Sequence, residues 1–124
     1  MADYTIVNFM DIEPINPETG LRFTRESINS RDLGISHVKY PANYRGKKAH
    51  FHKEQEEVYI VINGSGHVML DKDVKKIKQW DVIRVAPKTV RVFESGPEGL
   101  EMVIAGGPKP PEGDGQMVDI SWPS

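Results

Sequence analysis

Short apolar runs rich in β-branched and aromatic residues recur along this chain, broken by glycine, proline, asparagine and aspartate, while helical periodicity is almost missing. The breaks fall at the spacing of roughly 8–12 residues that marks a sandwich or barrel. A chain patterned this way buries its apolar side chains on alternate positions of strands, and the turn residues join neighbouring strands into antiparallel hairpins. The expected strands are Tyr4 to Phe9, Leu21 to Glu26, Gly34 to Tyr40, Ala49 to His52, Glu57 to Asn63, Gly66 to Leu70, Val74 to Lys78, Val82 to Val85, Val90 to Glu94 and Leu100 to Ala105. Turn chemistry is clearest at Asn63-Gly64, Asp71-Lys72-Asp73 and Gly96-Pro97-Glu98-Gly99. The fold class is all-β.

A length of 124 residues makes one domain, large enough to bury a core without staples. There is no cysteine, which excludes disulfides, thiolate ligands and a cysteine nucleophile. The formal net charge of −2 provides no electrostatic footprint for nucleic acid. The N-terminal residues lack a basic segment leading into a long apolar run, and no stretch of about 18 apolar residues occurs. The expectation is therefore a cytoplasmic protein whose partners include neither nucleic acid nor membrane. Asn63-Gly64-Ser65 matches a glycosylation sequon, but its physical content here is a tight turn.

The segment with the most chemistry is His50-Phe51-His52-Lys53-Glu54-Gln55-Glu56-Glu57, which leads into Val58-Tyr59-Ile60-Val61-Ile62 and then Asn63-Gly64-Ser65-Gly66. It reads as a metal site on a β-hairpin. Two histidines one residue apart on a strand point to the same side, so both imidazoles reach one ion. Glu57 opens the next strand and supplies a carboxylate. Imidazole nitrogen with carboxylate oxygen suits divalent Fe, Mn, Ni, Cu or Zn, and spacing alone does not choose among them.

These residues resemble the cupin superfamily, specifically its small single-domain members of the type-2 conserved barrel. The first cupin motif is HxH, three or four residues, a glutamate, six residues and a glycine, and His50, His52, Glu57 and Gly64 fill it. The count selects Glu57, because Glu56 leaves seven residues before the glycine. The glycine expected six residues before the first histidine is Tyr44 here. The resemblance covers roughly residues 34–106 and implies a jelly-roll barrel, the double-stranded β-helix, with a tail over 107–124. It also implies that a second motif should supply a fourth ligand. Aligning Asp81-Val82-Ile83-Arg84-Val85-Ala86-Pro87 with that motif places Trp80, Ala86, Lys88, Arg91 and Ser95 at its five marked positions, and all five differ from the family. Arg91 stands where the fourth ligand is expected.

Arginine is cationic at any working pH, and about 6 Å from a divalent ion it costs several kcal/mol even at an effective dielectric of about 20. Something anionic must lie between them. Glu57 supplies one charge, and a small anionic ligand gripped by the guanidinium supplies the rest. The competing reading is an ion pair between Arg91 and Glu57 with no metal. Tyr59 shares a strand face with Glu57, where it donates a phenolic hydrogen bond or packs by its ring. Phe93 shares a face with Arg91. These three, Arg91, Tyr59 and Phe93, are the candidate substrate-binding residues. His37 and His67 read as ordinary strand residues.

Val58, Ile60 and Ile62 make the second face of their strand apolar as well, which points to a homodimer. From Gly106 onward, Gly-Gly-Pro-Lys-Pro-Pro-Glu-Gly-Asp-Gly reads as an extended loop. Met117 to Trp122 restores apolar character, so that the tail docks over a barrel mouth or on a partner subunit. Three function classes fit: a metal-dependent dioxygenase or isomerase acting on an oxo acid, enol acid or sugar; a non-catalytic module binding a small acid; and a structural cupin with a Glu57–Arg91 pair. Fold alone does not choose among them.

Overall fold

The computed structural model describes residues 3–123, and almost all of its regular structure is antiparallel sheet. In chain order the strands are β1 (Arg22–Phe23), β2 (Gly34–Tyr40), β3 (Lys48–His52), β4 (Glu57–Leu70), β5 (Asp73–Lys78), β6 (Val82–Val85), β7 (Arg91–Gly106) and β8 (Gly115–Asp119). The two long strands form the frame. β4 pairs with β7 from Glu57↔Gly106 to Leu70↔Arg91, with register shifts between Val61 and Asn63 and between Gly64 and Gly66. Before the shifts, the ladder is flanked by β6 on the β4 side and by β2 and β1 on the β7 side. Beyond them it is flanked by β5 and by β3, which carries β8 on its outer edge. The ladder folds over at the shifts, and the two sheet halves face each other as a jelly roll.

The space between the halves is filled from both sides. Tyr59 and Val61 from the start of β4 meet Val68 and Phe93 from the far end of the ladder, together with Val38, Ile77, Val85, Leu100 and Met102. Tyr59 and Phe93 touch with ring centroids 4.8 Å apart, although their ladder partners, Ile104 and Val68, lie in opposite halves. A second cluster covers the outside of one half, where Ala49, Met69 and Val92 are packed by Val90, Val118, Ile120 and Trp122.

Two of the expected hairpin turns are corners instead. Asn63-Gly64 and Gly96-Pro97-Glu98-Gly99 lie inside β4 and β7, which run on through bulges rather than reversing. A bulge adds a residue to one strand and sharpens its bend, so the same glycine signal serves a corner as readily as a turn. Gly64 has φ 81°, and a Cβ there would meet the carbonyl oxygen of Gly99; at Gly66 a Cβ would meet that of Glu94. The turn at Asp71-Lys72 does form as expected, with Asp71 at φ 55° and β5 returning along β4.

The N-terminus departs from the expected strand. Tyr4 to Phe9 carries strand-like alternation but pairs with no described residue, and the segment ends in a 3-10 turn at Phe9–Asp11 capped by Asn8. Alternation makes a strand only where a partner completes the ladder. Leu21 to Glu26 shrinks to β1, two residues long, before a turn in which Ile28 N–H donates to Thr24 O. At the C-terminus the loop gives way to a strand, and β8 docks on the same chain, with Lys48↔Asp119 through His52↔Gly115 in register. Trp122 Nε1–H donates to Gly46 O at 2.8 Å, and the Arg45 guanidinium lies 5.1 Å from the centre of its ring. No helix among the described residues is long and apolar enough to cross a membrane.

The corner supports a direct prediction. Gly66→Ala forces a methyl group against the Glu94 backbone, which cannot swing aside as a side chain can, so unfolding by urea should show a loss of at least about 2 kcal/mol. A loss below about 0.5 kcal/mol would mean that the corner relaxes freely.

Candidate metal centre

β3 and β4 are consecutive in sequence but do not pair, so the site is not a hairpin. β3 lies between β7 and β8, with His50↔Arg91 in register, whereas Glu57 opens β4 in the opposite sheet half between Gly106 and Val85. The linker from Lys53 to Glu56 crosses between the halves, so the ligands close on one another across the barrel. The alternation of β3 still holds: His50 and His52 face inward while Ala49 packs outward in the second cluster. Their rings meet edge to face, 5.1 Å apart.

One ligand atom from each of His50, His52 and Glu57 lies within 4.8 Å of the others. Glu57 Oε1 is 3.5 Å from His50 Nε2 and 3.2 Å from His52 Nε2. Glu57, the carboxylate that the motif count selects, faces both histidines, whereas Glu56 faces outward to Arg84 Nε at 2.7 Å. Tyr59 O–H donates to the same Glu57 oxygen at 2.7 Å. Its ring packs on Phe93 in the core, so both roles expected of Tyr59 are present together. Phe93 is a core residue, 5% exposed.

Arg91 has no exposed surface. Its Nη2 lies 3.8 Å from Glu57 Oε1, and its terminal nitrogens reach the carbonyls of Pro87 and Ala86 at 3.5 Å, leaving Nε without a partner. The guanidinium is thus turned toward Glu57 and the backbone. The other two histidines contact glutamates away from this cluster: the buried His37 has Nε2 2.6 Å from Glu101 and its ring on Phe9, and His67 Nδ1 lies 3.2 Å from Glu94.

One functional group escaped the sequence. Asp114, in the glycine- and proline-rich loop, is buried beside His52, with Oδ1 2.9 Å from Nδ1. Its Oδ2 accepts from the backbone N–H groups of Glu54 at 2.6 Å and Gln55 at 2.9 Å. Gln55 Nε2 in turn donates to Gly107 O at 3.0 Å. Only the Asp-Gly pattern hinted at it, and that pattern first signals a turn. With Nδ1 occupied, His52 presents Nε2 to the site. That nitrogen is buried and has no hydrogen-bond partner, because Glu57 lies close but not in hydrogen-bond alignment. A buried imidazole nitrogen aimed at a second imidazole and a carboxylate fits a divalent transition metal.

Electrostatics sharpen the picture. Burial alone would raise the Glu57 carboxyl, but His50, His52 and the Tyr59 hydroxyl outweigh it and hold the group well below the usual carboxylate range. The Glu57 contact raises His52 against the opposing effect of burial, and Asp114 adds to the rise. Burial first, and then the Glu57 charge, push the Tyr59 hydroxyl far up, which keeps it a proton donor. At Asp114, burial pushes upward, and the Glu54 amide, His52 and the Gln55 amide overcome it to lower the group.

No protein-family model matches the chain, and no curated protein matches it in sequence. Solved structures do match it in fold. A cupin protein from Bacteroides fragilis superposes with a TM-score of 0.74 at 18% identity, over 87% of this chain and 86% of that one. A Streptomyces Pac13 variant with uridine gives 0.77 at 22% identity, over 97% and 93%; Pac13 is described as a nucleoside dehydratase. KdgF from Halomonas gives 0.66 at 14% identity, over 90% of each chain. The chain is a small all-β protein with the cupin jelly-roll fold.

The two opposite pKa shifts set a pH window for the metal-free protein. A raised His52 contributes stability that is complete below its unfolded value of about 6.5 and is lost as pH rises through the folded value. A depressed Glu57 contributes stability that is present above about 4.5 and is lost as pH falls through its folded value. Urea unfolding of chelator-treated protein should therefore show lower stability at about pH 9 than at about pH 6, and His52→Gln should flatten that decline. An unchanged decline in the variant would assign it to other groups.

Proposed function

We propose that this cupin binds one divalent transition metal, Fe, Mn, Ni, Cu or Zn, through His50, His52 and Glu57, and that the open side of the ion receives a small anionic organic molecule. The observation that carries the proposal is His52 Nε2: buried, without a hydrogen-bond partner, and directed at the other two ligands. His50 is the most open of the three, with its side chain 35% exposed, so the approach to the ion is on its side. Arg91 supports an anionic ligand through its charge. Together, Glu57, Asp114 and Arg91 sum to −1, and a divalent ion turns the site to +1, which favours an anion on the free side.

A metal here supplies Lewis acidity and a template for orienting substrate. Dioxygenation or isomerisation of an oxo acid, enol acid or sugar fits such a site, with Tyr59 holding Glu57 as a ligand and Arg91 stabilising negative charge. The fold neighbours include a protein described as a nucleoside dehydratase, which lends support to a sugar-containing molecule among these substrate classes.

A second reading has its own support. The phenol of Tyr59, both imidazoles and the Arg91 guanidinium all approach the same Glu57 oxygen. That convergence neutralises the carboxylate without an ion and makes the barrel a metal-free module for binding a small acid.

Calorimetric titration of chelator-stripped protein with Zn²⁺ or Mn²⁺ separates the two. One equivalent bound tightly, and lost in the His50→Ala, His52→Ala double variant while its melting stays cooperative, is expected of the metal centre. No heat of binding in the wild type would leave the ion-pair reading. Arg91→His restores a fourth ligand at the position the cupin pattern expects, and metal binding should tighten at least about tenfold; weaker binding would count against the placement of Arg91 beside the ion.

We further propose that the protein is a homodimer. Val58 and Ile60 on β4 lie beside Val82 on β6 and Val103 on β7 on the outer sheet face, and Val82 is 66% exposed. Light scattering should give twice the chain mass, falling to one chain in Ile60→Glu; a monomeric wild type would remove the dimer.

A further inference from the structure

We propose that Asp114 is a positioning residue for the metal centre, and that through it metal affinity is tied to docking of the C-terminal strand β8. The proposal rests on the metal reading above and adds to it a part of the chain far from the ligands in sequence. Asp114 lies 62 residues from His52 and its side chain is 3% exposed. Ionised carboxylates only accept hydrogen bonds. Its contact with Nδ1 therefore places the imidazole proton on Nδ1 and leaves the lone pair of the neutral ring on Nε2, the nitrogen that faces Glu57. A partner of this kind orients a ligating imidazole and raises its basicity, and its loss typically weakens metal binding by about 10–100-fold.

The carboxylate does this while pinning the linker that carries Glu57 across the barrel. One oxygen holds His52, and the other holds the amides of Glu54 and Gln55. Asp114 itself is held because Gly115, the next residue, begins β8 opposite His52. Behind it, Val118, Ile120 and Trp122 pack on the outer cluster. Undocking of β8 withdraws Asp114, releases the linker and frees the His52 ring to rotate. Coupling between two binding events is reciprocal, so an ion that favours the docked strand must also hold the strand down.

Asp114→Asn separates positioning from support. The amide oxygen can still accept from Glu54 and Gln55, but the amide nitrogen facing Nδ1 can only donate, which moves the ring proton to Nε2 and blocks its lone pair. With Zn²⁺ as probe, competition against a chromogenic chelator should show affinity lowered about 10–100-fold in Asp114→Asn. Melting of the two metal-free proteins should stay close. Imidazole ¹⁵N shifts of the metal-free proteins in alkaline solution should report the proton on Nδ1 in the wild type and on Nε2 in the variant, a change that a merely structural role would not produce. Equal Zn²⁺ affinity in the two proteins would overturn the proposal while leaving the metal centre intact; absence of Zn²⁺ binding in the wild type would remove both.

Hydrogen exchange on the wild type alone covers the case in which the variant fails to fold. Zn²⁺ should slow exchange at Glu54, Gln55 and Gly115–Asp119 relative to the metal-free protein. Unchanged exchange there, with Zn²⁺ bound, would overturn the coupling.

Discussion

The pairing of β4 with β7 is the constraint from which the rest of the molecule follows. A ladder of this length, if straight, would carry Glu57 and Arg91 to its opposite ends. Its register shifts at Val61/Asn63 and Gly64/Gly66 fold it over, so that its two ends lie against each other and Glu57 comes within 3.8 Å of Arg91. β3 then needs only to pair beside Arg91 to bring both histidines to the same point. The site is therefore a product of the corner, and the core between the halves is what holds the corner closed.

At that point, charge decides what the barrel can hold. His50, His52 and the Tyr59 hydroxyl outweigh burial and favour the ionised form of Glu57, and the arginine in place of a fourth ligand keeps the pocket from becoming a purely anionic cage. A divalent ion held by these three residues would retain open positions, and in the proposed function the buried Arg91 charge is what favours an anion there. Asp114 completes the arrangement from outside by selecting the nitrogen that His52 offers.

Much of this was legible in the sequence because it depends on local periodicity. The HxH spacing puts two imidazoles on one face whatever the strand pairs with, and the motif count separates Glu57 from Glu56. The bounds of β2 and β6 were read directly from alternation and punctuation. The misreadings share a cause: glycine reports backbone freedom but not what the freedom is used for. Gly64 and Gly99 read as hairpin-turn residues, and they serve as corners inside continuous strands. Partnership was equally hidden. Nothing in Tyr4 to Phe9 says that it lacks a ladder partner, and nothing in the segment around Asp114 says that it gains one, since both outcomes are set by contacts across most of the chain.

The central claim is that His50, His52 and Glu57 form a metal centre, and elemental analysis of protein purified without chelator or affinity metal tests it most directly. The account predicts close to one equivalent of a single divalent transition metal per chain, lost when both histidines are replaced by alanine. Protein that carries no such metal, and takes none up on reconstitution, would contradict it.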